Sequence, residues 1–90
     1  MTSERERRST IDERLEESFD PGPPKKRSIA IAGHKTSVSL EEAFWRALRR
    51  LAEEDETSLT ALVARIDAGR GKANLSSALR VYALERAARR

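Results

Sequence analysis

Cysteine and histidine, the side chains most often used as nucleophile, general base or transition-metal ligand near neutral pH, are almost absent from this sequence. The 90-residue chain has no cysteine, and His34 is its one histidine. Histidine titrates near neutral pH and often serves as a general base, but no nucleophile or acid stands at a defined spacing from His34. Without cysteine no thiolate metal site can form, and one histidine cannot build a metal cage by itself. We therefore expect no catalytic residue, metal, cofactor or small-molecule substrate, and the protein is not expected to be an enzyme.

A second set of polar residues has a regular spacing. Lys35, Ser37 and Ser39 stand at alternate positions, and Thr36 and Val38 lie between them. Alternate residues of an extended strand point to the same side of the strand. The spacing therefore predicts a polar face that points outward.

The net charge of +3 is carried by the larger, C-terminal part of the chain. Residues 1–27 hold seven basic and seven acidic residues, whereas residues 28–90, the predicted domain, hold eleven basic and eight acidic ones. A basic domain is compatible with binding to a polyanion. No apolar run reaches the roughly 20 residues that span a bilayer, and the charged N-terminus is unlike a signal peptide. We expect a cytoplasmic protein with no membrane partner.

Residues 1–27 are predicted to form a disordered, charged N-terminal arm. Charged residues dominate this arm, and it ends near the sequence PGPP, which disfavours regular structure. Ile11, Leu15 and Phe19 recur every four residues. That spacing is compatible with a transient helix over residues 10–18.

Residues 28–40 alternate between apolar and polar types with a period of two, which predicts extended structure. The phase of this alternation shifts at Gly33. A β-bulge at Gly33 produces such a shift, and so does a hairpin with Gly33-His34 as a type II′ turn. In the hairpin, Ile31 would face Thr36 and one face would be wholly apolar. We favour the hairpin and keep the bulge as the alternative.

The first predicted helix covers residues 40–55. Ser39 and Glu42 match a capping box, in which each side chain accepts a hydrogen bond from the backbone amide of the other residue. Trp45 falls on the flank of this helix, where we expect it to close the edge of a dimer interface. The apolar face that should be buried consists of Leu40, Phe44, Ala47, Leu48 and Leu51.

Two further helices are predicted. One begins at Thr57 or Ser58 and ends near Gly69. The other runs over residues 75–88. Between them lies a basic, glycine-flanked loop, residues 69–74, which lacks the Gly-Lys-Ser/Thr order of a nucleotide-binding loop and is interpreted as a turn. The residues available for burial in these helices are Leu59, Leu62, Val63, Ile66, Leu75, Ala78, Leu79, Tyr82 and Leu84.

The strand predicted over residues 35–40 needs partners for its backbone hydrogen-bonding groups. No strand is predicted after it, and a two-stranded hairpin is marginal by itself. Small domains of this kind are often stabilised by association with a second chain. An antiparallel ribbon with the same segment of a second copy satisfies two-fold symmetry. The sequence therefore predicts a homodimer, with the helices packed beneath the shared ribbon.

The sequence TSVSLE at residues 36–41, followed by the helical residues up to 66, resembles ribbon-helix-helix repressors of the Arc and methionine-repressor type. A longer stretch is similar to a group of short, uncharacterised bacterial ribbon-helix-helix proteins. It covers about residues 27–86 and includes RSIAIAGHKTSVSLE, Phe44-Trp45 and NLSSALRV. The resemblance implies a mainly α fold with a short β ribbon, an intertwined two-fold dimer and an extra C-terminal helix.

The resemblance also implies a sequence-specific, double-stranded-DNA-binding protein that regulates transcription. In this family the outward residues of the ribbon enter the major groove, and the matching positions here are Lys35, Ser37 and Ser39. The amino end of the second helix grips a phosphate, and the residues at that position are Thr57, Ser58 and Leu59.

The sequence differs from the family in the turn between the first two helices. Glu56 stands where the family often has glycine, and it closes an acidic run over residues 53–56. Like charge close to the expected phosphate contact opposes DNA binding. The alternative function is therefore a dimeric protein-interaction module, either an adaptor or an antitoxin-like protein that binds its partner through the arm or the C-terminal helix.

Overall fold

Two strands followed by three helices form the fold, in the order that the sequence predicts. A computed structural model describes residues 19–89. The elements are β1 (Lys25–Ile31), β2 (His34–Leu40), α1 (Glu42–Glu54), α2 (Leu59–Gly69) and α3 (Leu75–Ala88). None of these helices is both long and apolar enough to cross a membrane.

The N-terminal part of the structure begins differently from the sequence-based boundary. β1 starts at Lys25, before the domain boundary predicted after Arg27. The helix predicted for residues 10–18 lies outside the described residues.

β1 and β2 are joined by a tight hairpin turn, so the hairpin is confirmed over the bulge. The predicted turn residues are wrong by one position, because the turn is centred on Ala32 and Gly33 and Ile31 pairs with His34. Both central residues have positive φ angles, 50° at Ala32 and 82° at Gly33. Positive φ at both positions is the signature of a type I′ turn, whose twist matches that of the two strands.

The register of the hairpin differs from the prediction by two residues. Ile29, and not Ile31, lies opposite Thr36, and Arg27 lies opposite Val38. A shift by two preserves the side to which each residue points. The apolar residues of both strands therefore still share one face, as predicted, even though the individual pairs were wrong.

The pairing within one chain confirms that the two strands form a hairpin. β1 pairs with β2 along seven residue pairs, so one edge of each strand is satisfied without the second copy that was expected to supply a partner for β2. Residues 25–27, which were assigned to the arm, belong to β1 and make this pairing longer than predicted. The homodimer is a separate matter and stays a prediction.

The apolar face of the hairpin packs against the helices and forms a core within the single chain. Trp45 is completely buried in it, and its indole N–H donates a hydrogen bond to the Lys25 carbonyl oxygen at 3.0 Å. Trp45 therefore fastens α1 to β1, and its predicted place at the edge of a dimer interface is wrong. The buried residues are Ile29, Ile31, Val38, Leu40, Trp45, Leu48, Leu51, Ala52, Leu62, Val63, Leu79 and Ala83.

The C-terminal helix α3 completes this core by packing against α1, α2 and β2. Leu79 and Ala83 are its buried residues. Leu84, which was predicted to be available for burial, is 67% exposed, and Val81 is 53% exposed. Phe44 and Ala47 of α1 are only half-buried. The inward face of α1 is therefore turned toward Trp45 and Ala52, and an apolar flank is left near the surface.

The helix starts follow side-chain capping in two of three cases. The Ser58 hydroxyl accepts a hydrogen bond from the Ala61 amide at 3.0 Å, and the Asn74 side chain caps α3 in the same way. The capping box at Ser39 is wrong, because Ser39 belongs to β2 and α1 begins after Glu41 without a side-chain cap.

The turn after α1 places Glu56 in the left-handed region, with φ 53°. The next amide, that of Thr57, donates to the Ala52 carbonyl oxygen at 2.8 Å, which closes the helix end. This is the position at which the resembling family often has glycine. A residue with a Cβ is strained in this conformation by about 1–2 kcal/mol, and glycine is not.

We expect Glu56→Gly to increase the free energy of unfolding by about 0.5–1 kcal/mol. The strain energy that glycine relieves in the folded state is larger than the free-energy cost of the extra conformational entropy that glycine gives to the unfolded chain. Thermal or urea unfolding measures this change. Glu85→Gly is the matched control, because it removes the same exposed side chain from the interior of α3. It should lower stability by about 1 kcal/mol, and a loss of stability in both variants would contradict the assignment.

Candidate nucleic-acid interface

The hairpin has one polar face that no helix covers. Cross-strand pairs join Lys26 to Ser39, Ser28 to Ser37 and Ala30 to Lys35. Because alternate residues point the same way, these six side chains lie on the side opposite the core. All are exposed except Ser39, which is half-buried. We call this surface the outer ribbon face; it consists of Lys26, Ser28, Ala30, Lys35, Ser37 and Ser39.

The three residues predicted to contact bases, Lys35, Ser37 and Ser39, are all on the outer ribbon face. Ser39 does not cap α1, although the sequence suggested that it would. Lys26 and Ser28 on β1 also lie on this face, although they were not predicted to contact bases. Their signal was available, since they alternate with Arg27 and Ile29, but the run of cations was interpreted as part of the arm.

The cations of β1 divide between the two sides of the hairpin. Lys25 lies 3.3 Å from a Glu42 carboxylate oxygen, and the Arg27 guanidinium stacks over the Trp45 ring at 5.3 Å from its centre. The ammonium group of Lys25 beside it lowers the pKa of the Glu42 carboxyl group. Lys26, between them, points to the outer ribbon face and has no ion pair among residues 19–89. It is therefore available to a polyanion.

The dimensions of the outer ribbon face suit a DNA major groove. Two adjacent strands lie about 4.8 Å apart, and seven residues extend over about 23 Å. The major groove is about 12 Å wide and admits a two-stranded ribbon. The face carries two lysine ammonium groups and three hydroxyl groups, which are the donors and acceptors that contact base edges.

The amino end of α2 offers fewer free amides than the sequence suggested. The Thr57 amide donates a hydrogen bond to the Ala52 carbonyl oxygen, so the expectation that this amide is free is wrong. The Ser58 hydroxyl oxygen accepts a hydrogen bond from the Ala61 amide. The amides of Leu59 and Thr60, in the first turn of α2, have no acceptor within the described part of the chain. These two amides remain open to an anion.

The acidic run beside this helix end is partly neutralised by α3. The Arg86 guanidinium donates to both carboxylate oxygens of Asp55, at 2.9 and 3.1 Å, and also to the Tyr82 hydroxyl. The Arg86 hydrogen bond lowers the pKa of the Asp55 carboxyl group, and Asp55 in turn raises the pKa of Arg86. The carboxylate is therefore paired, which reduces its repulsion of a phosphate at the start of α2.

A second bidentate pair fixes α3 to the start of α1. Arg80 donates to the two carboxylate oxygens of Glu41 at 3.0 and 3.2 Å, and its guanidinium lies 5.8 Å from the centre of the Phe44 ring. The hydrogen bond from Arg80 lowers the pKa of the Glu41 carboxyl group. This pair holds α3 against the end of the ribbon that carries Ser39.

Comparisons with known proteins agree with this architecture. A family model described as a ribbon-helix-helix domain matches residues 24–87. A solved structure, that of an uncharacterized protein from Bordetella pertussis Tohama I, is similar with 34% sequence identity and a TM-score of 0.68. The match covers 82% of this chain but 64% of that chain, so it extends over less than two thirds of that protein's length. A search of curated proteins finds no match.

The pairing of Asp55 with Arg86 predicts a defined pH dependence of stability. A carboxyl group whose pKa is lowered by folding stabilises the folded state above its unfolded pKa of about 4. This contribution is lost as the pH falls through the lower, folded-state pKa. Asp55→Asn should therefore show a shallower loss of unfolding free energy below about pH 5 than the unsubstituted protein.

Urea unfolding between pH 3 and 7 measures this effect, with Glu85→Gln as the control. Glu85 has no ion pair within residues 19–89, and its replacement should leave the slope close to that of the unsubstituted protein. Equal slopes for Asp55→Asn and Glu85→Gln would show that the Asp55–Arg86 pair does not persist in solution.

Proposed function

Because the chain belongs to the ribbon-helix-helix domain family, we propose that it is a sequence-specific double-stranded-DNA-binding protein that regulates transcription in the bacterial cytoplasm. The observation that supports this proposal best is the outer ribbon face, which is polar, exposed and of the width that a major groove admits. Proteins of this family are generally DNA-binding regulators, and the fold is not an enzymatic one.

In this proposal the base contacts come from both strands of the ribbon. Lys35 donates to the O6 and N7 atoms of a guanine, while Ser37 and Ser39 contact neighbouring bases. Lys26 and Ser28 lie opposite the two serines and extend the contact across the groove. The reading surface therefore combines the three residues that the sequence identified with two that only the hairpin register brings to them.

We propose that the start of α2 binds a backbone phosphate and so sets the register of the protein on the duplex. The open amides of Leu59 and Thr60 donate to the phosphate, and the positive end of the helix favours its charge. Thr57 and Ser58 flank these amides. Their hydroxyl groups complete the set of residues expected to contact the phosphate.

We also propose that two copies act together on DNA. The outer ribbon face measures roughly 200 Å², whereas specific protein–DNA interfaces bury about 1,000–2,500 Å² of protein surface. One ribbon supplies only part of such an interface, and two ribbons together with the phosphate contacts at two α2 starts supply more of it. A homodimer doubles the net charge of +3 per chain and presents two ribbons to two half-sites.

We expect Lys35→Ala to weaken binding to a selected duplex by about 1–3 kcal/mol and to relax the preference for the selected site. Loss of a base contact explains both effects. Lys72→Ala is the matched control, because it removes an exposed lysine from the α2–α3 loop, outside the ribbon. Fluorescence anisotropy with selected and random duplexes measures both variants.

The salt dependence of the same measurement separates DNA binding from the alternative function. Binding should weaken steeply as salt rises, because each neutralised phosphate releases a counterion. If Lys35→Ala and Lys72→Ala weakened DNA binding equally, the outer ribbon face would not be the surface that contacts the bases. Absence of binding to any duplex at low salt would favour the protein-interaction module.

The number of chains on the DNA tests the dimer. We expect sedimentation of the complex with a selected duplex to give two chains per site, with cooperative binding. The homodimer would be contradicted if one chain saturated the site, or if two chains bound independently at distant positions. Either result would still allow the hairpin of a single chain to contact the bases.

A further inference from the structure

A shallow apolar groove lies between α1 and α3, on a side of the domain that no described element covers. Its volume is about 330 Å³. Leu84 and Val81 are the most exposed of its apolar side chains. We call it the α1–α3 groove; its lining residues are Ala43, Phe44, Ala47, Arg80, Val81, Ala83, Leu84 and Ala87.

Large apolar side chains that are exposed together usually mark a contact surface. The packing within the domain leaves these residues unused, since α3 already buries Leu79 and Ala83 in the core. Leu84 was expected to be inside on the basis of the sequence, and it is not. The groove is therefore a candidate contact surface that nothing within residues 19–89 covers.

The described chain begins beside this groove. Phe19, the first described residue, is 70% exposed and lines a hollow together with Ala43, Phe44 and Arg80. The same three residues also line the α1–α3 groove. The segment that immediately precedes Phe19 is thus tethered at the mouth of the groove.

The sequence of that segment matches the groove in length and in apolar spacing. Ile11, Leu15 and Phe19 recur every four residues and would share one side of a helix. Eight helical residues extend over about 12 Å. The α3 residues from Val81 to Ala87 that line the groove span a similar length, about 9 Å.

The charges of the segment and of the groove rim are complementary. Residues 10–18 hold four acidic residues and one basic residue, Arg14. The exposed side chains of Arg46 and Arg50 lie on α1, where they line hollows at the two ends of the groove. The hollow at Arg46 is also lined by Asp20, Glu41 and Glu42, but Glu41 is paired with Arg80 and Glu42 with Lys25. An acidic segment is therefore favoured over a second copy of the same apolar, arginine-flanked surface.

We propose that residues 10–18 bind in the α1–α3 groove of their own chain, with Leu15 against Leu84 and Ile11 one turn farther along, near Ala87. This contact gives the acidic arm a fixed place on the helical side of the domain. It is independent of DNA binding, because none of the groove residues belongs to the outer ribbon face.

Disulfide trapping tests this contact without ambiguity, because the chain has no cysteine of its own. Leu15→Cys combined with Leu84→Cys should form an intrachain disulfide at least about tenfold faster than Glu13→Cys combined with Leu84→Cys. Both variants tether the arm in the same place, but only a thiol at position 15 would point into the groove on a helix, so the ratio reports the orientation of the segment. Glu13 is the control because it would face away from Leu15 on a helix. Cysteine remains apolar enough to keep the stripe.

Four further observations decide the outcome. Addition of Ile11→Asp to the Leu15→Cys pair should reduce the rate to that of the control. An interchain disulfide, with twice the chain mass of 10.1 kDa, would assign the groove to a second copy and overturn the proposal. Equal rates for the Leu15 and Glu13 pairs would overturn it as well. A second pair, Ile11→Cys with Ala87→Cys, guards against a local effect of one substitution.

Discussion

The antiparallel pairing of β1 with β2 inside one chain is the interaction on which the structure depends. It engages one edge of each strand and, because of its register, places the apolar residues of both strands on a single face. That face cannot remain in water, so the three helices fold over it. The same pairing places the polar residues on the opposite side. Core and candidate DNA surface are thus two consequences of one ladder of hydrogen bonds.

Several contacts connect this ladder to the helices. Trp45 reaches from α1 to the Lys25 carbonyl, and the Glu41–Arg80 pair joins the end of β2 to α3. The Asp55–Arg86 pair then binds α3 to the turn before α2. α3 therefore encloses the core and also neutralises acidic charge near the proposed phosphate contact.

Local patterns in the sequence were sufficient for the helices, the hairpin and the β2 half of the outer ribbon face. They gave wrong predictions where a residue's conformation depends on contacts with residues distant in the sequence. Ser39 and Glu42 fit a capping box, but Ser39 is held in the ladder opposite Lys26 and Glu42 is paired with Lys25. The turn falls on Ala32, which is unfavourable at positive φ by itself, because the seven-pair register outweighs the local preference. The β1 half of the face was not predicted, because Lys26 belongs to a run of cations that was assigned to the N-terminal arm.

Chemical-shift mapping with a selected duplex tests the central claim most directly. On addition of DNA to the isotopically labelled protein at low salt, the amide signals of Lys26, Ser28, Lys35 and Ser37 should shift together, since both strands of one chain form the contact. Signals from Leu84 in α3 should remain in place. Shifts confined to α3, or to β2 without β1, would contradict a reading surface built by the hairpin of a single chain.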